Sequence, residues 1–170
     1  VAIERAQKQV LVCNLDTGRH DRIGYDKLVI ATGATPVMPA VAGLDLKGVF
    51  RLAHPQDALG LREVVRDAEK SRVAVVGAGL VGLETVDALV NQDKEVTVVE
   101  MADQVLPGLL DWEIAALVAR HLRRQGVEVL TSHRLTGFEG DDQGSLTAVV
   151  TTGDTIPADI AVLAIGVRPN

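Results

Sequence analysis

Cysteine is almost absent. Cys13 stands alone among 170 residues, which excludes an internal disulfide and a cysteine-based zinc site. A single thiol fits a reducing compartment, and a cytoplasmic setting is expected. Aromatic residues are nearly as scarce: Trp112, Tyr25, Phe50 and Phe138 are the whole set. That leaves no stacking platform for single-stranded nucleic acid. Positive charge is in deficit, with 17 Lys and Arg against 23 Asp and Glu and a formal charge of −6. Neither nucleic acid nor an anionic membrane surface is an expected partner of such a chain. No apolar run reaches the roughly 18 residues of a membrane span. The opening VAIERAQKQV also lacks the apolar centre of a signal peptide.

What is present is aliphatic. Hydrophobic residues make up 47% of the chain, so a core without aromatics must be built from Val, Leu, Ile and Ala. Such cores are typical of parallel sheets covered on both faces. Buried strands are expected at Arg72–Val76 (RVAVV), Glu95–Glu100 (EVTVVE), Val127–Thr131 and Asp159–Ile165 (DIAVLAI). Helices are expected over 56–70, Gly79–Asn91 and Asp111–Gln125, the last with Asp111 as N-cap and Gly126 as its stop. Short alternating segments over 133–152, broken by Gly and Asp, read as an antiparallel meander. Ahead of these lie two further strand signals, 9–15 and Lys27–Ala31. Pro36, Pro39 and Gly43 then mark a boundary too rich in breakers to hold an element. The order predicts an α/β, Rossmann-like doubly wound parallel sheet with an inserted antiparallel β-meander.

The sharpest signal is Val75-Val76-Gly77-Ala78-Gly79-Leu80-Val81-Gly82-Leu83-Glu84. It is G-x-G-x-x-G directly after a strand and opening a helix. Gly77 permits the tight turn, Gly79 lets backbone approach a pyrophosphate, and Gly82 lets helix pack closely on sheet. The helix N-terminus offers free N–H groups and the positive end of its dipole. Glu100 ends the next strand, 18 residues (100 − 82) beyond the last glycine, where a carboxylate can accept both hydroxyls of an adenosine ribose. Met101-Ala102-Asp103-Gln104 follow without a cation. A 2′-phosphate there would meet uncompensated negative charge, so NADH is expected over NADPH by roughly 1–3 kcal/mol.

Several segments together resemble one family. They are Tyr25–Ala34 (YDKLVIATGA), the glycine turn ending Gly-Leu-Glu, Val98-Val99-Glu100, and Ala158–Asn170 (ADIAVLAIGVRPN). The chain resembles the pyridine nucleotide-disulfide oxidoreductases, in particular the group of NADH oxidase, NADH peroxidase and coenzyme A-disulfide reductase. The resemblance implies an NAD(H)-binding domain over 38–170, preceded by a remnant of a FAD-binding domain over 1–37. It also implies FAD in the intact enzyme, a homodimer, and FAD and dimerisation domains that this stretch lacks. A second glycine fingerprint and a redox-active cysteine are missing from it, so a fragment is expected that captures dinucleotide without turning it over.

By the same resemblance Gly77, Gly79, Leu80, Val81 and Gly82 hold the pyrophosphate, while Glu100, with Met101 beside it, holds the adenosine ribose. Glu84 sits by the nicotinamide and flavin rings. Leu109 replaces a covering Tyr, and Gly166 offers backbone to the nicotinamide. No catalytic residue and no metal ligand is expected. Cys13 and the four histidines are expected to be structural or on the surface. Two rival readings are a non-catalytic dinucleotide sensor and a Rossmann turn that holds FAD itself.

Overall fold

The computed structural model describes residues 1–52, 54–67 and 71–170. The chain forms two compact units, Val1–Gly33 and Ala34–Asn170. In the first, β1 (Ala2–Glu4), β2 (Gln9–Cys13) and β3 (His20–Gly24) make an antiparallel sheet in that order. The Asn14 Oδ1 accepts the N–H groups of Asp16 and Thr17, both at 3.0 Å, and so shapes the turn into β3. No residue of this unit is buried. Cys13 ends β2 half-buried, with its thiol free. The strand expected over Lys27–Ala31 does not form, and Val29 and Ile30 are 85% and 67% exposed. An apolar run has strand propensity, but a strand needs a neighbour to pair its N–H and C=O groups. No described strand runs beside this one.

The second unit opens with β4 (Ala34–Pro36) and β5 (Val49–Arg51). It continues through α1 (Pro55–Asp67), β6 (Arg72–Val76), α2 (Leu80–Val90), β7 (Glu95–Val99), α3 (Trp112–Arg124) and β8 (Glu128–Leu130). Then come β9 (Leu135–Gly140), β10 (Leu146–Thr151), β11 (Thr155–Pro157), β12 (Ile160–Leu163) and β13 (Val167–Pro169). Residues 68–70 of the expected first helix lie outside the described residues. Five strands form a parallel sheet in the order β5-β12-β6-β7-β8, and the meander expected over 133–152 forms as β9 and β10, to which β11, beyond that stretch, adds a third antiparallel strand. The segment expected to hold no element contains β4, which pairs antiparallel with β13. Its proline is tolerated because it ends a two-stranded ribbon and interrupts no central ladder.

Side-chain alternation along the parallel strands sorts the core into two layers. Val73, Val75, Val96, Val98 and Val162 face the helices, with Leu61, Val86, Ala119 and Leu122 packed against them. Ala74, Val76, Ala161 and Leu163 face the other way and meet Phe138, Val149 and Ile156 of the meander. Helices therefore cover one face and the meander the other, so strands buried on both faces read as continuous aliphatic runs. Gly126 follows α3 at φ +86°, the left-handed stop expected of it. Asp111 caps α3 through its backbone carbonyl, since its side chain makes no capping bond. At the N-terminal edge of the sheet, the guanidinium of Arg72 grips Asp159 at 2.7 and 3.2 Å, and the Arg72 N–H donates to the same carboxylate. No described helix is long and apolar enough to cross a membrane.

Candidate functional site

All five parallel strands point their C-terminal ends to one edge of the sheet. The chain leaves β6 toward β7 on one side, while β12 lies on the other. Such a switch in strand order opens a crevice. One of about 690 Å³ lies there, within the range of small-molecule sites.

Its floor is the glycine-rich turn. The Gly77 N–H crosses to Val99 O at 2.8 Å, and Ala164 N–H reaches Val76 O at 2.8 Å. Gly77 has φ +106°, and a Cβ there would press on the carbonyl of Ala164. A Cβ at Gly82 would collide with the carbonyl oxygen of Gly77, so α2 can approach the turn only because this residue is glycine. Gly79 differs, because a Cβ there would meet no protein atom within 4 Å. That space is open crevice. Gly79 also caps α2 without a side chain, so the first N–H groups of the helix face the crevice free of a capping oxygen. They form a cradle for an anion.

Glu100 forms part of the wall and is buried. One carboxylate oxygen accepts the Ala78 N–H at 2.7 Å and the other the Ala102 N–H at 2.8 Å. It therefore braces the glycine turn against the loop after β7. A carboxylate has about four acceptor positions, so capacity for ligand hydroxyls remains.

Gly77, Gly79, Leu80, Val81, Glu100, Met101 and Gly166 all line this crevice, and Gly82 lies beneath it. Two expected residues are not brought to it. Glu84, the fifth residue of α2, turns on the helical wheel away from the turn. It lines a cavity of about 490 Å³ between α1 and α2, which adjoins the crevice through Leu52, Leu80 and Val81. Leu109 is exposed and off the wall. Its N–H bonds Leu106 O, and Leu106 in turn bonds Ala78 O, which folds the loop so that position 109 faces outward.

The sequence reading missed the wall supplied by the exit of β8. His133 N–H donates to Glu100 O at 2.9 Å, and Ser132 N–H to Ala102 O at 2.7 Å. These bonds bring His133 and Arg134 onto the crevice. The available signal was positional, since ligand residues in such folds follow the C-terminal ends of strands. The imidazole of His133 faces two acceptors, Thr131 O at 2.7 Å from Nδ1 and Asp154 Oδ2 at 3.0 Å from Nε2. Both contacts are hydrogen bonds only when both nitrogens carry protons. The Thr131 carbonyl, followed by the Asp154 carboxylate, accordingly raises the His133 pKa above its ordinary value.

The family model described as pyridine nucleotide-disulphide oxidoreductase matches residues 1–170. A protein of Methanocaldococcus jannaschii named NADH oxidase is 39% identical over 153 residues, 90% of this chain and 34% of that protein. The solved NAD-dependent persulfide reductase from A. fulgidus superposes with TM-score 0.84 at 40% identity, over 100% of this chain and 31% of that one. The water-forming NADH oxidase from Lactobacillus brevis, solved bound to NADH, superposes with TM-score 0.84 at 29% identity, over 100% of this chain and 37% of that one. The chain spans about a third of the length of these relatives. It belongs to the pyridine nucleotide-disulphide oxidoreductase family.

Proposed function

We propose that this member of the pyridine nucleotide-disulphide oxidoreductases binds NAD(H) in the crevice at the carboxyl ends of its parallel strands. In the intact enzyme it presents the cofactor to FAD. The observation that carries the reading is the turn Gly77–Gly82, open at Gly79 and uncapped at α2, with Glu100 on the adjoining wall. The amides at the start of α2 take the diphosphate. Glu100 accepts the adenosine ribose hydroxyls while its bonds to Ala78 and Ala102 hold the turn in shape. Backbone at Gly166, with the aliphatic wall beside it, receives the nicotinamide end. When bound, the nicotinamide supplies hydride and the flavin accepts it. This chain's part is to bind and orient, and no described residue is assigned a catalytic role.

On this reading residues 38–170 are the NAD(H) domain and 1–37 belong to a flavin domain, with a homodimeric oxidoreductase as the whole. The carboxylate of Glu100 makes NADH the preferred cofactor over NADPH. Calorimetric titration of the folded chain with NADH is expected to give saturable binding at one site without turnover. A folded chain that gives no heat with NADH overturns the reading. A purified protein that is yellow with stoichiometric flavin would favour FAD in this turn instead.

A further inference from the structure

We propose that Arg134 is a specificity-determining residue of the dinucleotide crevice. Its guanidinium offers a 2′-phosphate the cation that the loop after β7 lacks, and so keeps the preference for NADH narrow. The inference rests on the dinucleotide reading above.

Three charged or chargeable residues line the crevice among the described residues: Glu100, His133 and Arg134. Two of them are already committed. Each oxygen of Glu100 takes a backbone N–H, which draws its negative charge into the turn and softens its repulsion of a second anion. Both ring nitrogens of His133 are engaged, by Thr131 and Asp154. Arg134 is exposed and makes no ion pair or side-chain hydrogen bond among the described residues.

Its backbone is nonetheless fixed. The Arg134 N–H donates to Thr152 Oγ1 at 3.1 Å, and Arg134 accepts the Thr152 N–H at 2.9 Å. The preceding residue donates to Glu100 O, so this side chain starts from a pinned position beside the ribose end of the crevice. Guanidinium matches phosphate with paired donors in a planar fork. The cation is invisible to a reading of the residues just after Glu100, because it arrives from a different strand exit.

Titrations of the chain, Arg134→Ala and Arg134→Lys with NADH, NADPH, 5′-AMP and adenosine 2′,5′-bisphosphate test this. Arg134→Ala is expected to weaken NADPH and the bisphosphate about tenfold while NADH and AMP stay within about twofold, the scale of one exposed charge-assisted contact. Arg134→Lys is expected to retain most of the NADPH affinity. Equal losses for NADH and NADPH would assign Arg134 to the diphosphate and overturn the inference. Unchanged affinities overturn it too, and in both cases NADH binding by the parent chain leaves the dinucleotide reading standing. If the parent chain fails to bind NADH, both fall.

Discussion

A methyl group added at Gly82 meets a backbone carbonyl, whereas one added at Gly79 meets open space. Gly82→Ala gains about 1 kcal/mol of helix propensity. The collision is with Gly77, whose N–H is tied to Val99, so the cost lies near the upper overpacking value of about 3 kcal/mol. A net loss of about 2 kcal/mol is expected, read by denaturant titration. Gly79→Ala is expected to leave stability unchanged and to weaken NADH binding about tenfold or more, because the methyl occupies the diphosphate's approach. At His133 the raised folded pKa sets the sign of a pH effect. The stability it contributes is fully present below the ordinary value of 6.5 and is lost as pH rises through the raised one. Proton titration followed by NMR should place His133 above 6.5, and Asp154→Asn should lower it; an unmoved value in that variant would remove Asp154 as a cause.

Among the elements, β6, β7, β8 and β12 of the parallel sheet were the most legible in sequence. Val73 to Val76 form an unbroken aliphatic run because the helices take one side of the strand and the meander the other. The Asp111 start and the Gly126 stop of α3 were legible from local cap signals. The short strands β4, β5 and β13 were not. Three residues hold no period, and their pairing depends on partners far away in sequence. Lys27–Ala31 shows the converse, a strong local signal with no neighbour to complete it. The site divides the same way: the glycine turn and Glu100 are contiguous motifs, while Arg134 reaches the crevice through the exit of another strand. The β6–β12 pairing also yields a pH prediction. The hydrogen bond from Arg72 holds the Asp159 carboxyl below its ordinary value of 3.8. Its contribution is present above that value and lost as pH falls through the lowered one. Both side chains are nearly half exposed, so screening limits the pair to about 1 kcal/mol or less. Asp159→Asn should cost about that much at neutral pH, and the gap to the parent should close in acid; a gap that persists would point to the backbone bond instead.

At the scale of the whole molecule, the residues that line the crevice all belong to the second unit. Between β3 and β4 the chain carries no regular structure, and it exposes Val29 and Ile30. Brief proteolysis is expected to cut there first, leaving a resistant product that begins near residue 34 and binds NADH as the uncut chain does. Loss of binding on cleavage would show that the first unit contributes to the site. The β4–β13 ribbon has a separate implication. It sets the two ends of the second unit side by side, with Ala34 opposite Pro169. A unit whose two leads emerge together behaves as a cassette. It can be spliced into a loop of a host protein without prising the host's ends apart.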